Sequence, residues 1–136
     1  MAGSRFKPLP HPSDLGIVAF GRTPKELFEN AAFGLFSLMA DLDTATAREN
    51  FEVKVTGEDR ESLLVNWLNE LIYVFDSKKI LLSSFKINKI SDTGLEAVVA
   101  GEKLDPKKHQ GLRPIKAATY NQLRIEADKA TIVFDV

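Results

Sequence analysis

The sequence predicts an α+β fold, with two amphipathic helices packed on a largely antiparallel or mixed sheet. Two observations carry this. Strand-period and helix-period stretches alternate over the first half of the chain, and the second half returns only to strand period, giving the order β-α-β-α-β-β-β-β. The chain has 136 residues, 44 % hydrophobic and 27 % charged, enough apolar material for one core in one domain spanning residues 1–136.

The elements follow in order. Residues 15–20, L-G-I-V-A-F, form a short apolar strand closed by Gly21. Thr23 is a good helix N-cap, Pro24 suits the first helical position, and Glu26 completes a capping box. The helix runs to about Met39 or Ala40. Leu27, Ala31, Leu35 and Leu38 make one apolar row, and Phe28, Ala32, Phe36 and Met39 make a second beside it. Residues 50–56 alternate, with Phe51, Val53 and Val55 on one face and Glu52, Lys54 and Thr56 on the other. Gly57 turns the chain and Asp59 caps a second helix that runs to about Asp76. Leu63, Val65 and Val74 lie outside its main stripe, so this helix is buried on more than one side. Residues 80–90 and 95–104 read as a hairpin around S-D-T-G. Residues 105–114 are a polar loop, I-K-A-A-T-Y is a short strand-like piece, and residues 123–127 and 131–136 form a last hairpin.

Composition removes several function classes. A net charge of −1 and a pI near 6.1 give no global basic field for nucleic acid, so no strong direct RNA binding is expected. Without cysteine there is no disulfide, zinc-thiolate site or cysteine nucleophile. The start of the chain does not read as a signal peptide, and no apolar run suggests a membrane span. A cytoplasmic protein is expected.

Chemistry-bearing residues are few. His11 and His109 are the only histidines, and neither has metal-ligand spacing; both read as exposed loop or cap residues. R-F-K at 5–7 and K-K-H at 107–109 read as solvated loops. No nucleophile elbow or phosphate loop occurs. The sharper signal joins the two ends of the chain. Asp14 stands at a strand entrance in H-P-S-D-L-G-I, where a short acid can simply hold a turn. The chain stops on a strand, T-I-V-F-D-V, which sets the Asp135 carboxylate beside the α-carboxylate of Val136. Oxygens crowded in this way repel, and a hard divalent cation relieves the repulsion. If the first and last strands are neighbours, Asp14 adds another oxygen.

Several blocks resemble the archease family. They are H-P-S-D-L-G-I with F-G-R-T-P-K-E-L-F-E-N-A-A-F-G-L-F-S-L-M-A-D-L, then V-T-G-E-D-R-E-S-L-L-V-N-W-L-N-E-L-I-Y-V-F-D, then G-E-K-L-D-P-K-K-H with I-K-A-A-T-Y-N-Q-L-R-I, and the terminal V-F-D-V. They span nearly the whole chain in order. The resemblance implies an archease-like α+β fold. It implies a protein without its own catalytic constellation, which activates the GTP-dependent tRNA-splicing RNA ligase by promoting its guanylylation and multiple turnover. It also implies a divalent metal, Ca²⁺ favoured and Mg²⁺ possible, held by Asp14, Asp135 and Val136. The chain departs from the family pattern at H-P-S-D, where H-T-A-D is usual, and at Asn121, where a histidine often follows the tyrosine. Two other readings stand beside this one: a chaperone-like modulator of a tRNA methyltransferase, and a small metal-dependent hydrolase using the same carboxylates. The charged loop at 102–109 is the expected ligase-facing surface.

Overall fold

Two antiparallel sheets, rather than one, take up the strand-period sequence. The computed structural model describes residues 4–10 and 15–136. The chain runs β1 (Phe6–Pro8), β2 (Leu15–Phe20), α1 (Pro24–Met39), a single 3-10 turn (Leu42–Thr44), β3 (Glu49–Thr56), α2 (Arg60–Lys78), β4 (Ile80–Ile90), β5 (Gly94–Lys103), β6 (Ala117–Ala118), β7 (Arg124–Ile125) and β8 (Lys129–Asp135). One sheet has the order β1-β2-β8-β6, with β7 also paired to β8. The other has the order β3-β5-β4. The α+β class and the two packed helices are as the sequence predicts.

Both helix starts follow from local chemistry. Thr23 Oγ1 accepts from the Glu26 N–H at 3.1 Å, and Glu26 reaches back to the Arg22 N–H at 3.0 Å. Asp59 accepts from the Ser62 N–H at 2.8 Å, and the Ser62 hydroxyl accepts from the Asp59 N–H at 3.1 Å. These bonds satisfy donors that a helix start otherwise leaves open. The second helix outlasts its expected end by two residues. Ser77 and Lys78 extend it, a basic residue being favourable in a last turn. Lys79 then leaves in the left-handed region at φ 55°, its N–H donating to Phe75 O.

β1 was not expected from the sequence, being three residues that end in a proline. The strand-like I-K-A-A-T-Y segment shrinks to the two residues of β6. It still follows β8 through separate bonds, Lys116 N–H to Asp135 O at 2.8 Å and Thr119 N–H to Val133 O at 3.1 Å.

The helices share one core with both sheets. Trp67, Leu68, Leu71, Phe28, Leu35 and Phe36 are fully buried. As the sequence suggests, α2 buries Leu63, Val65 and Val74 beyond its main stripe. Trp67 Nε1–H donates to Phe28 O at 3.0 Å, so the indole spans the two helices without leaving its polar atom unpaired. At the centre of the β3-β5-β4 sheet, Gly101 lets β5 approach β4 closely. A Cβ there would stand 2.0 Å from Leu81 O. Gly101→Ala is therefore expected to cost about 3 kcal/mol or more in a urea unfolding titration, as overpacking against backbone does. Gly94→Ala should be tolerated, because a Cβ there meets only Val55 O, at 3.7 Å.

Candidate functional site

The β2–β8 ladder decides where the two ends of the sequence meet. Its register runs from Phe20↔Lys129 to Leu15↔Phe134. The start of β2 therefore lies against the end of β8, as the metal reading of the sequence requires. On the other side of β8, Ala117 pairs with Asp135 and Ala118 with Phe134. Asn69 of α2 fixes that neighbour: its Oδ1 accepts from the Ala118 N–H at 2.7 Å and its Nδ2 donates to Ala118 O at 3.3 Å.

An open pocket of about 1010 Å³ forms at this pole. Asp135, Val136, Arg113, Lys116 and Asn121 are among its lining residues, with Leu15, Leu38 and Phe134 as the apolar part. Asp135 and Val136, two of the three expected ligands and consecutive in the chain, both line it. Asp14, the third, falls outside the described residues, as does His11. Among the described residues the Asp135 carboxylate has no hydrogen-bond or ion-pair partner, while its main-chain carbonyl is used by Lys116. The donor set present is hard oxygen, which suits calcium or magnesium rather than a thiophilic metal. No group of three metal-ligating side chains occurs among the described residues. The cations Arg113 and Lys116 on the same wall were not singled out in the sequence. Their signal is only their closeness to residues that pair with the end of β8.

The second polar cluster corrects the sequence reading. His109 is not an exposed loop residue; it is 4 % exposed. The Asp105 N–H donates to its Nδ1 at 2.9 Å, so Nε2 carries the proton and donates to the Glu102 carboxylate at 2.7 Å. Lys108 Nζ stands 2.8 Å from the same carboxylate, and Arg48 lies at 3.7 Å. Glu102 is itself only 6 % exposed. The polar composition of residues 105–114 hid this, because a loop that folds its own histidine under itself looks like a solvated one.

The hydrogen bond from Lys108, helped by those from His109 and the Thr46 N–H, holds the Glu102 carboxyl at about 2, against the opposing pull of burial. Folding lowers this pKa, so the charged form stabilises the fold above the ordinary value of 4.5. That contribution is lost as pH falls from 4.5 through about 2. Glu102→Gln should lower stability at pH 7 by roughly 1–3 kcal/mol and flatten the acid limb of a melting-temperature series over that window.

Comparison with known proteins accords with this architecture. The model of the Archease protein family (MTH1598/TM1083) matches residues 6–136. The chain belongs to the archease family. It is 36 % identical over 142 residues to the protein archease of Methanosarcina mazei, covering 98 % of this chain and 97 % of that protein. To the protein archease of Sulfurisphaera tokodaii it is 40 % identical over 123 residues, covering 90 % and 88 %. The solution structure of Methanobacterium thermoautotrophicum protein 1598 superposes with a TM-score of 0.79 at 32 % identity, covering 98 % of this chain and all of that one. No helix among the described residues is long and apolar enough to cross a membrane.

Proposed function

We propose that this archease-family chain is a metal-binding accessory protein that activates the GTP-dependent tRNA-splicing RNA ligase. It would do so by promoting guanylylation of the ligase, so that each ligase molecule turns over repeatedly. The observation that supports this best is the pole where β2 meets β8. There the Asp135 carboxylate, without a partner among the described residues, and the main-chain oxygens of Val136 share an open pocket with Arg113 and Lys116.

Asp135 and Val136 would hold the cation, with Asp14 joining them from the residue just before Leu15. When bound, the cation supplies positive charge against phosphate oxygens. Arg113 and Lys116 act in the same sense: both are exposed, cannot be matched by Asp135 alone, and suit phosphate oxygens on a partner. Asn121, where a histidine is usual in the family, supplies hydrogen bonds without a titrating group. The exposed Lys107 and Lys108 leave the 102–109 loop as a second candidate for ligase contact, while Glu102 and His109 beneath it act in folding.

The test is RNA joining by the cognate ligase with RNA in excess, GTP and a divalent metal, with and without this protein. Many joins per ligase are expected only in its presence. Asp14→Asn and Asp135→Asn are expected to weaken calcium binding by about tenfold or more, read by calorimetry, and to reduce ligase turnover with it. Full stimulation by variants that no longer bind metal would separate the metal from the activity. No stimulation by the unaltered protein would refute the accessory role.

A further inference from the structure

The outer edge of β3 carries a pattern that nothing above uses. Gly57 N–H donates across the ladder to Thr93 O at 3.0 Å. In the register Glu49↔Gly101 to Thr56↔Gly94, this means the odd-numbered residues of β3 bond to β5. The even-numbered ones, Asn50, Glu52, Lys54 and Thr56, direct N–H and C=O to the open side. Thr56 O accordingly accepts from Asn66 Nδ2 of α2 at 2.9 Å. Asn50, Glu52 and Lys54 have no such partner among the described residues.

The other edges are blunted. β4 shifts register between Leu82 and Ser84 and between Ile87 and Lys89. Its Ile87 N–H is taken by Glu29 Oε2 of α1 at 2.8 Å. β1 has three residues and ends in Pro8, and β6 and β7 have two each. β3 has eight residues with no proline, and its pairing with β5 has no break in register. A straight, open edge of that length is a template for another strand.

The sequence of β3 is complementary to itself in one register. We infer that β3 pairs antiparallel with β3 of a second copy of this chain about a two-fold axis at Val53. Val53 then faces Val53 of the other copy. Glu52 lies opposite Lys54 and Lys54 opposite Glu52, so two pairs of opposite charge form on the exposed face. Phe51 lies opposite Val55 on the face toward the helices. The register sets even residues against even residues, the ones whose backbone groups point outward. The hydrogen-bonded pairs are thus the two Glu52–Lys54 pairs, and Val53–Val53 is the non-bonded pair between them.

Two features extend the contact. Tyr73 is 64 % exposed and lies seven residues on from Asn66, on the row of α2 that runs beside this edge. The assembly also closes on itself. Joining two β3 edges makes one six-stranded sheet whose outer strands are the two blunted β4 edges, so no further copy can add.

Sedimentation velocity over a concentration series tests this, with circular dichroism as the check on folding. The unaltered protein is expected to show a reversible monomer–dimer equilibrium. E52K sets two lysine pairs in place of the two opposite-charge pairs, and should raise the dimer dissociation constant by about tenfold or more. E52K/K54E restores opposite charges in the same register and should restore the dimer. A monomer throughout the series, a dimer indifferent to E52K, an open-ended assembly, or failure of the double variant to recover would each overturn the inference. A monomer that gains an unrelated protein strand on this edge would do so too, since the occupant would not be a second copy.

Discussion

The ladder between β2 and β8 is the constraint on which the rest depends. β8 carries three neighbours among the described residues of its sheet: β2 along one edge, β6 and β7 along the other. Its register brings residues more than a hundred positions apart in sequence into contact, and it leaves no slack. At Gly16 a Cβ would stand 2.5 Å from Ile132 O, so the two strands close together only because the side chain is absent. A slip by one residue would turn Ile17 and Ala19, both fully buried, out of the core. The position of Asp135 beside the start of β2 is thus a by-product of burying the apolar face of both strands. The core specifies the pole of the molecule before any ligand does.

Buried polar groups then lock the helices to this frame. Trp67 ties α2 to α1 through Phe28 O, and two residues on, Asn69 ties α2 to β6 with one donor and one acceptor. The W-L-N-E-L motif therefore has a physical reading. Trp67 faces the other helix, Asn69 faces a strand edge whose backbone groups would otherwise be unpaired, and Leu68 and Leu71 fill the core between them. Glu29 of α1 likewise accepts the Ile87 N–H of β4. No buried side-chain polar atom among the described residues is left without a partner. Since an unpaired buried polar group costs more than a pair contributes, these contacts act as selectors of one register rather than as large net sources of stability.

Most of the fold was legible because apolar periodicity is strong here. Residues 15–20 and the first helix fall where the spacing sets them, as do both ends of the strand at 80–90. The split into two sheets was not legible. Alternation tells which face of a strand is buried but not which other strand lies beside it. β1 and β6 were lost or overextended because two or three residues carry no measurable period. The candidate site was legible in part. The end of β8, where Asp135 and Val136 stand, meets the start of β2, since the pairing of these strands is set by their apolar runs. Arg113 and Lys116 were not visible, because their place depends on how an irregular segment lies along β8. His109 was misread for a related reason. Its burial follows from a turn in which Asp105 accepts the His109 N–H at 2.7 Å and offers its own N–H to the ring, and short-range turn chemistry of that kind has no hydrophobic signal.

The two charged regions of the molecule differ in what their charges can do. Glu102 is buried among His109, Lys108 and Arg48, so its charge is neutralised within the chain and contributes to folding. Asp135, Arg113 and Lys116 are exposed, and no ion pair joins them among the described residues. Exposed, separated charges add little to stability even when they do pair. Asp135 is also held rigidly in place, because its carbonyl and the strand behind it are fixed by β2 and β6. A charge with no partner among the described residues, set on a rigid ladder, is placed to meet something outside the strands that hold it. Removing it should leave the folded protein as stable as before. A loss of activity at Asp135 is therefore readable as loss of a contact to a ligand or partner, whereas a loss at Glu102 or His109 must first be separated from unfolding.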